Sequence, residues 1–101
     1  MAGLRDMQLF VAAYETQSFT AAALRERATQ SGVSQHVRAL EESLGVKLFS
    51  RQGGRVAPTP AGNRFYESCV EVLRAHAAAG RSVREYGRGV DGNIVIGLMP
   101  T

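Results

Sequence analysis

One long amphipathic segment near the C-terminal end limits the folds that this chain can adopt. Thr59 followed by Pro60 predicts a helix start, because threonine caps helices and proline is tolerated at the first helical position. From Pro60 to about Tyr86, apolar residues recur at alternating spacings of four and three. A helix of roughly 27 residues extends about 40 Å. In a chain of 101 residues, such a helix predicts a mainly α fold.

Two apolar stripes run side by side along this predicted helix. The second stripe consists of Tyr66, Val70, Leu73, Ala77 and Gly80. The helix is too long for a small domain to cover, so the two stripes need two partners. One partner is the chain's own core, and we expect the other to be the same helix of a second copy. The predicted homodimer contacts come from the first stripe: Phe65, Cys69, Val72, His76, Ala79 and Val83.

Two shorter helices are predicted at the N-terminal end. The segment from Leu4 to Tyr14 places its apolar residues on one helical face. Ser18 or Thr20 can cap the helix that follows, which extends to about Arg27 and contains a run of alanines that allows close packing.

A third helix carries the residues that point to a function. Thr29 offers its N-cap and Gly45 its end, while the core side consists of Val33, Val37, Leu40 and Leu44. A second, polar stripe has no acidic residue before Glu41; it consists of Gln30, Ser34 and Arg38, widened by Ser31 and Gln35. A solvated helix face usually mixes both charge signs. The first two turns, which lack acids, therefore suggest a surface that faces nucleic acid.

A small hairpin follows the third helix. Two short segments, Lys47 to Arg51 and Arg55 to Pro58, flank a Gly-Gly pair. Three helices, a hairpin with arginines on both sides of its turn and a long helix together predict a winged helix-turn-helix. The predicted boundaries are 1–59 for this domain, 60–86 for the linker helix and 87–92 for a glycine-rich hinge.

The C-terminal residues predict the start of a further domain. Asn93 to Leu98 has the apolar pattern of a buried strand, but the chain supplies no neighbouring strand for it. We therefore expect residues 93–101 to be the first strand of a second domain that lies beyond this sequence.

Composition and charge narrow the class of protein. The segment from Arg25 to Arg55 has three more basic than acidic residues, which equals the formal net charge of +3 for the whole chain and favours a polyanionic partner. The single cysteine excludes an intrachain disulfide framework. Zinc-ligand spacings, glycine-rich phosphate loops and catalytic triad patterns are absent, so we expect no metal, no cofactor and no enzymatic activity. Long apolar runs and a signal pattern are also absent, which predicts a cytoplasmic protein without membrane contact.

Ordered motifs over most of the chain resemble those of one family, the LysR-type bacterial transcriptional regulators, in their N-terminal DNA-binding domain. The match extends without gaps from Leu4 to about Leu73. The residues that carry it are Phe10-Val11-Ala12, Ser18-Phe19-Thr20, Ala22-Ala23, Gln30, Val33-Ser34, Arg38, Leu40-Glu41, Leu44-Gly45-Val46, Leu48-Phe49, Arg51 and Thr59-Pro60-Ala61-Gly62. Correct order and spacing make this signal far more specific than a lone short motif.

The resemblance implies an assembly and a second site. It implies dimers joined by antiparallel linker helices, tetramers of full-length proteins and RNA polymerase as a further partner. It also implies a C-terminal domain that binds a small-molecule effector, near Thr101 in this sequence. The sequence departs from the family pattern at three positions. Glu26 stands where a leucine is common, which puts the local packing in doubt. Ser31 stands for a common proline and Gln35 for a common arginine, which suggests an altered base preference.

The predicted function is sequence-specific binding of double-stranded DNA. The third helix enters the major groove, where glutamine amides pair with adenine and serine hydroxyls donate or accept. Arg38 and Thr20 are expected at phosphates, and Arg51 and Arg55 in the adjacent minor groove. The full set of predicted DNA contacts is Thr20, Thr29, Gln30, Ser31, Ser34, Gln35, Arg38, Arg51 and Arg55.

Four other interpretations compete with these predictions. Solvent exposure would also account for the polar stripe of the third helix, and protection of an exposed edge from aggregation would account for the hairpin arginines, although the family resemblance favours DNA contact for both. The fragment as a whole fits a protein-recruiting assembly module. An enzyme built around Cys69 or His76 has least support, because a packed thiol and a packed imidazole account for both residues.

Overall fold

The computed structural model describes residues 3–52 and 55–90 as four helices and a two-stranded antiparallel sheet. The helices are α1 (Leu4–Thr16), α2 (Phe19–Glu26), α3 (Gln30–Leu44) and α4 (Pro60–Val90). The strands are β1 (Phe49–Gln52) and β2 (Arg55–Pro58), with Phe49 opposite Pro58 and Gln52 opposite Arg55. The winged helix-turn-helix is confirmed. The predicted Gly-Gly turn, the predicted strand at 93–98 and Thr101 lie outside the described residues.

Local capping sets the helix boundaries. Ser18 accepts a hydrogen bond from the Ala21 N–H at 3.0 Å, and Thr29 accepts one from the Gly32 N–H at 3.0 Å. Thr59 accepts from the Gly62 N–H at 3.0 Å and donates to the Lys47 carbonyl at 2.7 Å. Each hydroxyl oxygen satisfies an amide that has no partner within its own helix. Thr59 thereby ties the start of α4 to the start of the hairpin.

Aromatic rings and aliphatic side chains from all four helices and the hairpin form one core. Phe10 is fully buried at its centre, with its ring centroid 5.3 Å from that of Phe49 and 5.1 Å from that of Phe65. The predicted core side of α3 is confirmed for Val33, Val37 and Leu40, which are buried. Tilted aromatic contacts of this kind stabilise a core beyond the burial of area alone.

A polar network joins α4 to α1 and α2. The Tyr66 ring stacks on the Tyr14 ring with centroids 3.9 Å apart, and the Tyr66 hydroxyl donates to Glu15 Oε2 at 2.5 Å. Arg25 completes the network from α2, with Nη2 2.7 Å from Glu15 Oε1. The Tyr66 hydrogen bond lowers the pKa of Glu15, and the Glu15 carboxylate raises the pKa of Tyr66 and of Arg25. The direction of α4 is therefore fixed by stacking, hydrogen bonding and charge together.

Glu26 is accommodated by charge rather than by apolar packing. Arg5 donates to the Glu26 carbonyl oxygen at 2.8 Å and lies 3.4 Å from Glu26 Oε1. Arg25 Nε lies 3.5 Å from Glu26 Oε2. The first contact also occupies a carbonyl at the end of α2 that has no partner within the helix. Two arginines therefore hold Glu26 at the position where the family resemblance implies a leucine.

The linker helix corrects two predictions. First, α4 continues to Val90, so the predicted break at Gly87 and the hinge boundaries 87–92 are wrong for residues 87–90. A glycine costs an established helix only about 1 kcal/mol, which is less than is needed to end it. Secondly, Cys69 is fully buried in the chain's own core and does not face a second copy. The core therefore contacts residues of both stripes: Phe65 and Cys69 of the first, and Tyr66 and Leu73 of the second.

The rest of the first stripe leaves the core as α4 extends away from the domain. Phe65 is half-buried against Phe10, while Val72, His76, Ala79 and Val83 are exposed. Val83 retains 71% of its accessible surface and Tyr86 73%. Among the described residues, none of the helices carries an apolar stretch that would cross a bilayer.

Candidate nucleic-acid interface

Two clefts lie next to each other between α2, α3 and the hairpin. Phe19 and Arg51 line both of them and therefore form the wall between them. Six of the nine predicted DNA contacts line these clefts: Thr20, Gln30, Ser34, Arg38, Arg51 and Arg55. The structure thus brings together, on one surface, residues from three separate elements.

The smaller cleft has a volume of about 280 Å³ and lies at the start of α2. Its lining contains Thr20, Gln30 and Arg55, together with Gln17 and Ser18. Backbone N–H groups at the start of a helix favour anions, because they have no partners within the helix and carry the positive end of its dipole. This cleft therefore combines an anion-favouring helix start with an arginine and an amide.

The larger cleft has a volume of about 460 Å³ and lies between α3 and β1. Ser34 and Arg38 form its α3 side, and Lys47 and Arg51 its hairpin side. Three of these four side chains are cationic, and Arg38, Lys47 and Arg51 are all exposed. The charge around this cleft suits a phosphate backbone.

The buried side of α3 determines which residues face outward. Beside the buried Val33, Val37 and Leu40, a stripe of Gln30, Ser34 and Arg38 runs along the flank of the helix, with Gln30 and Arg38 exposed and Ser34 half-buried. Ser31 and Gln35 are exposed farther around the helix and line neither cleft. Thr29 caps α3, so its oxygen already accepts a hydrogen bond within the chain. Contacts of these three residues with DNA stay predictions, as do those of the six residues that line the clefts.

The acidic residue on this side of α3 is turned into the protein. Glu41 Oε2 accepts from the Leu48 N–H at 2.8 Å and from the Phe49 N–H at 3.3 Å, and Lys47 Nζ lies 3.9 Å from Oε1. These bonds attach the start of the hairpin to α3. They also direct the one carboxylate that lines the larger cleft towards backbone N–H groups and Lys47, which weakens its repulsion of a polyanion.

Arg51 is bound to its neighbours within the chain. Its guanidinium carbon lies 4.8 Å from the centroid of the Phe19 ring, and its Nη2 donates to Ser34 Oγ at 3.3 Å. A guanidinium above an aromatic face is attracted by the electron density of the ring. Arg51 therefore connects β1 to α2 and α3.

α3 is also attached to α1 through an ionisable pair. His36 Nδ1 contacts Asp6 Oδ1, and this hydrogen bond lowers the pKa of Asp6 despite the opposing effect of burial. Asp6 Oδ2 accepts a further hydrogen bond from the Gly3 N–H at 3.1 Å. The contact fixes the rotation of α3 from the side away from the clefts.

The structure gives the two candidates for chemistry different surroundings. Cys69 is fully buried, and desolvation raises the pKa of its thiol to about 11, far from that of a reactive thiolate. His76 is exposed on α4. Within residues 3–52 and 55–90, no group of three or more histidine, cysteine or acidic side chains is arranged to hold a metal ion.

Sequence reasoning missed the roles of Phe19, Glu41 and Lys47. Because Phe19 is apolar, its sequence context predicts only a core position. Its cation–π contact with Arg51 joins residues 32 positions apart in sequence and so depends on the fold. Glu41 was noted as the acid that ends the polar stripe, but its bonds to the hairpin require the folded geometry. Lys47 was recognisable only as part of a basic segment.

Comparison with known proteins places this arrangement among related regulators. The family model of bacterial regulatory helix-turn-helix proteins of the lysR family matches residues 4–63. The chain is similar to the HTH-type transcriptional regulator BudR of Klebsiella aerogenes, with 38% identity over 95 residues that cover 94% of this chain and 66% of BudR. It is also similar to BenM of Acinetobacter baylyi, with 33% identity over 107 residues that cover 96% of this chain and 34% of BenM.

Two solved structures of DNA complexes share the fold. The BenM DBD/catB site 1 DNA complex superimposes with a TM-score of 0.82 at 32% identity, covering 91% of this chain and 99% of that one. The CbnR DBD–DNA complex superimposes with a TM-score of 0.78 at 30% identity, covering 83% and 97%. The chain therefore spans just under two thirds of the length of BudR and about one third of the length of BenM.

Proposed function

This chain belongs to the LysR family of bacterial regulatory helix-turn-helix proteins, and we propose that it binds double-stranded DNA sequence-specifically as a homodimer. Family and relatives are transcriptional regulators rather than enzymes. The observation that carries the proposal is the surface around the two clefts. There Gln30, Ser34 and Arg38 face outward beside cationic side chains of the hairpin, while the nearest carboxylate on α3 is bonded inward.

The side chains around the clefts divide into readers of bases and holders of phosphates. Gln30 lies in the first turn of α3, the part of a recognition helix that approaches base edges, and its amide suits adenine. Arg38 lies two turns further along and suits a phosphate. Arg55 lies at the start of β2 and is exposed, which suits the minor groove beside the recognition helix.

The exposed part of α4 supports a homodimer. Val72, His76, Ala79 and Val83 lie symmetrically about a point between residues 77 and 78. An antiparallel pair of α4 helices centred there places Val72 against the partner's Val83, and His76 against the partner's Ala79. Such self-complementarity is what a two-fold interface requires, and burial of the two valines contributes favourable free energy. Phe65 remains a candidate contact at the end of this stripe.

The whole protein is proposed to be a larger regulator. Relatives extend well beyond the length of this chain, so a C-terminal domain that binds a small-molecule effector near Thr101, a tetrameric assembly and contact with RNA polymerase are parts of the proposal. No cofactor is proposed for the DNA-binding part. A bacterial regulator that contacts the chromosome is placed in the cytoplasm.

Binding to DNA as a function of salt tests the proposal. Duplexes are selected from a random pool with the unmodified chain, and the dissociation constant is then measured between about 50 and 200 mM salt. The logarithm of affinity should fall with the logarithm of salt by about 0.9 per phosphate neutralised. Gln30→Ala should cost ~1–3 kcal/mol and relax preference at one base pair, whereas Arg38→Ala should weaken all sequences alike.

Ser43→Ala is the matched control for these variants, because Ser43 is exposed on α3 and lines neither cleft. It should leave affinity and preference unchanged. A chain that dimerises but shows no salt-dependent affinity for any duplex would support the assembly-module interpretation instead. An enzyme would be supported if a double variant, Cys69→Ser with His76→Ala, lost a catalytic activity of the unmodified chain.

The dimer is tested by placing a charge on the exposed stripe. Val83→Asp should shift the mass measured by sedimentation towards the monomer, because burying an unpaired carboxylate is costly. Val72→Asp should act in the same way. Leu24→Asp is the control, since Leu24 is 79% exposed on α2 and is therefore as accessible as Val83. A dimer that survives both α4 variants contradicts the proposed interface.

A further inference from the structure

Arg51 and Ser34 form a hydrogen bond whose direction is fixed by chemistry. Arg51 Nη2 lies 3.3 Å from Ser34 Oγ. A guanidinium carries five N–H donors and no acceptor, so the serine oxygen must accept. A hydroxyl has a single proton of its own, and within the described part of the chain Ser34 Oγ makes no other side-chain hydrogen bond. That proton remains available to a group outside the protein.

The position of the guanidinium is held from its other face. The Phe19 ring lies beneath it, with the guanidinium carbon 4.8 Å from the ring centroid. Phe19 is itself buried in the core, so the platform cannot move without disturbing the packing. Arg51 is thus held between a rigid ring and the outward side of α3, at the wall that separates the two clefts.

We propose that Arg51 is a positioning residue that favours the Ser34 hydroxyl as a hydrogen-bond donor to a base, because the guanidinium occupies one of the two lone pairs of its oxygen and opposes the approach of a second donor. The inference rests on the proposed function, and it replaces the expectation that Arg51 enters the minor groove. Ser34 lies one turn beyond Gln30 on the same side of α3 and lines the larger cleft. Serine alone can donate or accept, and so discriminates weakly. With one lone pair of its oxygen occupied by the cationic Arg51, Ser34 favours a base-edge acceptor in the major groove: purine N7, guanine O6 or thymine O4.

Arg55 provides the contrast within the same hairpin. It lies opposite Gln52 in the sheet and is exposed, and its guanidinium makes no hydrogen bond or ion pair within the described residues. A side chain of this kind is available to DNA directly. The two hairpin arginines therefore have different roles: Arg55 contacts the nucleic acid and Arg51 acts through Ser34.

The experiment measures the DNA affinity of four variants: Arg51→Ala, Ser34→Ala, the double variant of these two, and Arg55→Ala. The duplexes are those selected with the unmodified chain, and every base pair of the site is varied in turn. Arg51→Ala and Ser34→Ala should each reduce discrimination at the same base pair by about two- to tenfold, the effect of one hydrogen bond. The double variant should lose no more than either single variant. The salt slope should fall by about 0.9 per subunit for Arg55→Ala and by clearly less for Arg51→Ala, whose charge lies near the DNA but makes no direct phosphate contact.

The proposal is overturned if Arg51→Ala lowers the salt slope as Arg55→Ala does, or if its effect on base preference is additive with that of Ser34→Ala. Arg51→Met is measured in parallel, since it keeps an unbranched apolar side chain over Phe19 and preserves folding while removing the donor. It should reproduce the change in base preference. Absence of salt-dependent DNA binding by the unmodified chain would instead refute the proposed function itself.

Discussion

Replacing Gly62 by alanine should destabilise the domain, although alanine is the better helix former. Gly62 lies in the first turn of α4, where the helix passes over the residue that precedes β1. A Cβ atom at this position would lie 2.1 Å from the Leu48 carbonyl oxygen and 3.1 Å from the carbonyl carbon. An unstrained contact of carbon with oxygen needs about 3.3 Å. α4 and Leu48 would therefore have to separate by roughly 1 Å.

Neither the start of α4 nor the backbone at Leu48 can move without loss of stability. Leu48 is fully buried, its carbonyl accepts the Thr59 N–H at 3.0 Å, and its own N–H donates to Glu41 Oε2. Overpacking that forces backbone shifts costs about 1–3 kcal/mol, and a contact with backbone, which has no rotamer to change, belongs at the upper end. Greater helix propensity offsets about 1 kcal/mol of this. The expected net loss is about 2 kcal/mol, or roughly 8–16 °C in Tm for a domain of this size.

Gly80→Ala is the matched control in the same helix. A Cβ atom there meets only the end of the Arg84 side chain at 3.2 Å, which can move away. This variant should gain up to ~1 kcal/mol. Both variants are unfolded in urea at one protein concentration, because association contributes to apparent stability. Equal or greater stability of Gly62→Ala than of the unmodified chain would refute the close approach of α4 to Leu48.

Two further predictions concern ionisable groups. Burial raises the pKa of the Cys69 thiol to about 11, so at pH 8 only about one folded molecule in a thousand carries the thiolate. The thiol should therefore react with iodoacetamide more than ~100-fold more slowly in the folded chain than in urea. Similar rates in the two states would contradict the burial of Cys69. Tyr66→Phe should lower Tm at neutral pH, with the difference shrinking in acid. The pKa of Glu15 lies below its ordinary value of 4.5 in the fold, so the stability from this bond is present above that value and is lost as pH falls through the folded pKa. A difference independent of pH would show that the hydroxyl does not act through Glu15.

The helix boundaries could be predicted because their signals are local. Ser18, Thr29 and Thr59 each cap the helix that follows within three residues, and such bonds depend little on the rest of the fold. The end of α4 could not be predicted in this way. Gly87 was interpreted as a break, but a helix that is already formed continues through a glycine at small cost.

The outward side of α3 could also be predicted, because one apolar stripe fixes the other side of a helix. The contacts made by those residues could not. Arg51 and Ser34 are 17 residues apart in sequence, and their bond depends on where the hairpin folds back. The periodicity alone places Cys69 on the stripe that faces a partner, whereas the core buries the part of α4 that lies over the domain, Cys69 included.

Because α4 is long, a small change in its direction produces a large displacement at its far end. With 31 residues it extends about 46 Å, and only its first half touches the domain. A change of about five degrees in its direction displaces the far end by roughly 4 Å, more than the 3.4 Å that separates successive bases along a strand. The stacked tyrosines and the Glu15 carboxylate at the base of α4 fix its direction. A small error in that direction would displace the far end of the helix by more than one base-pair step.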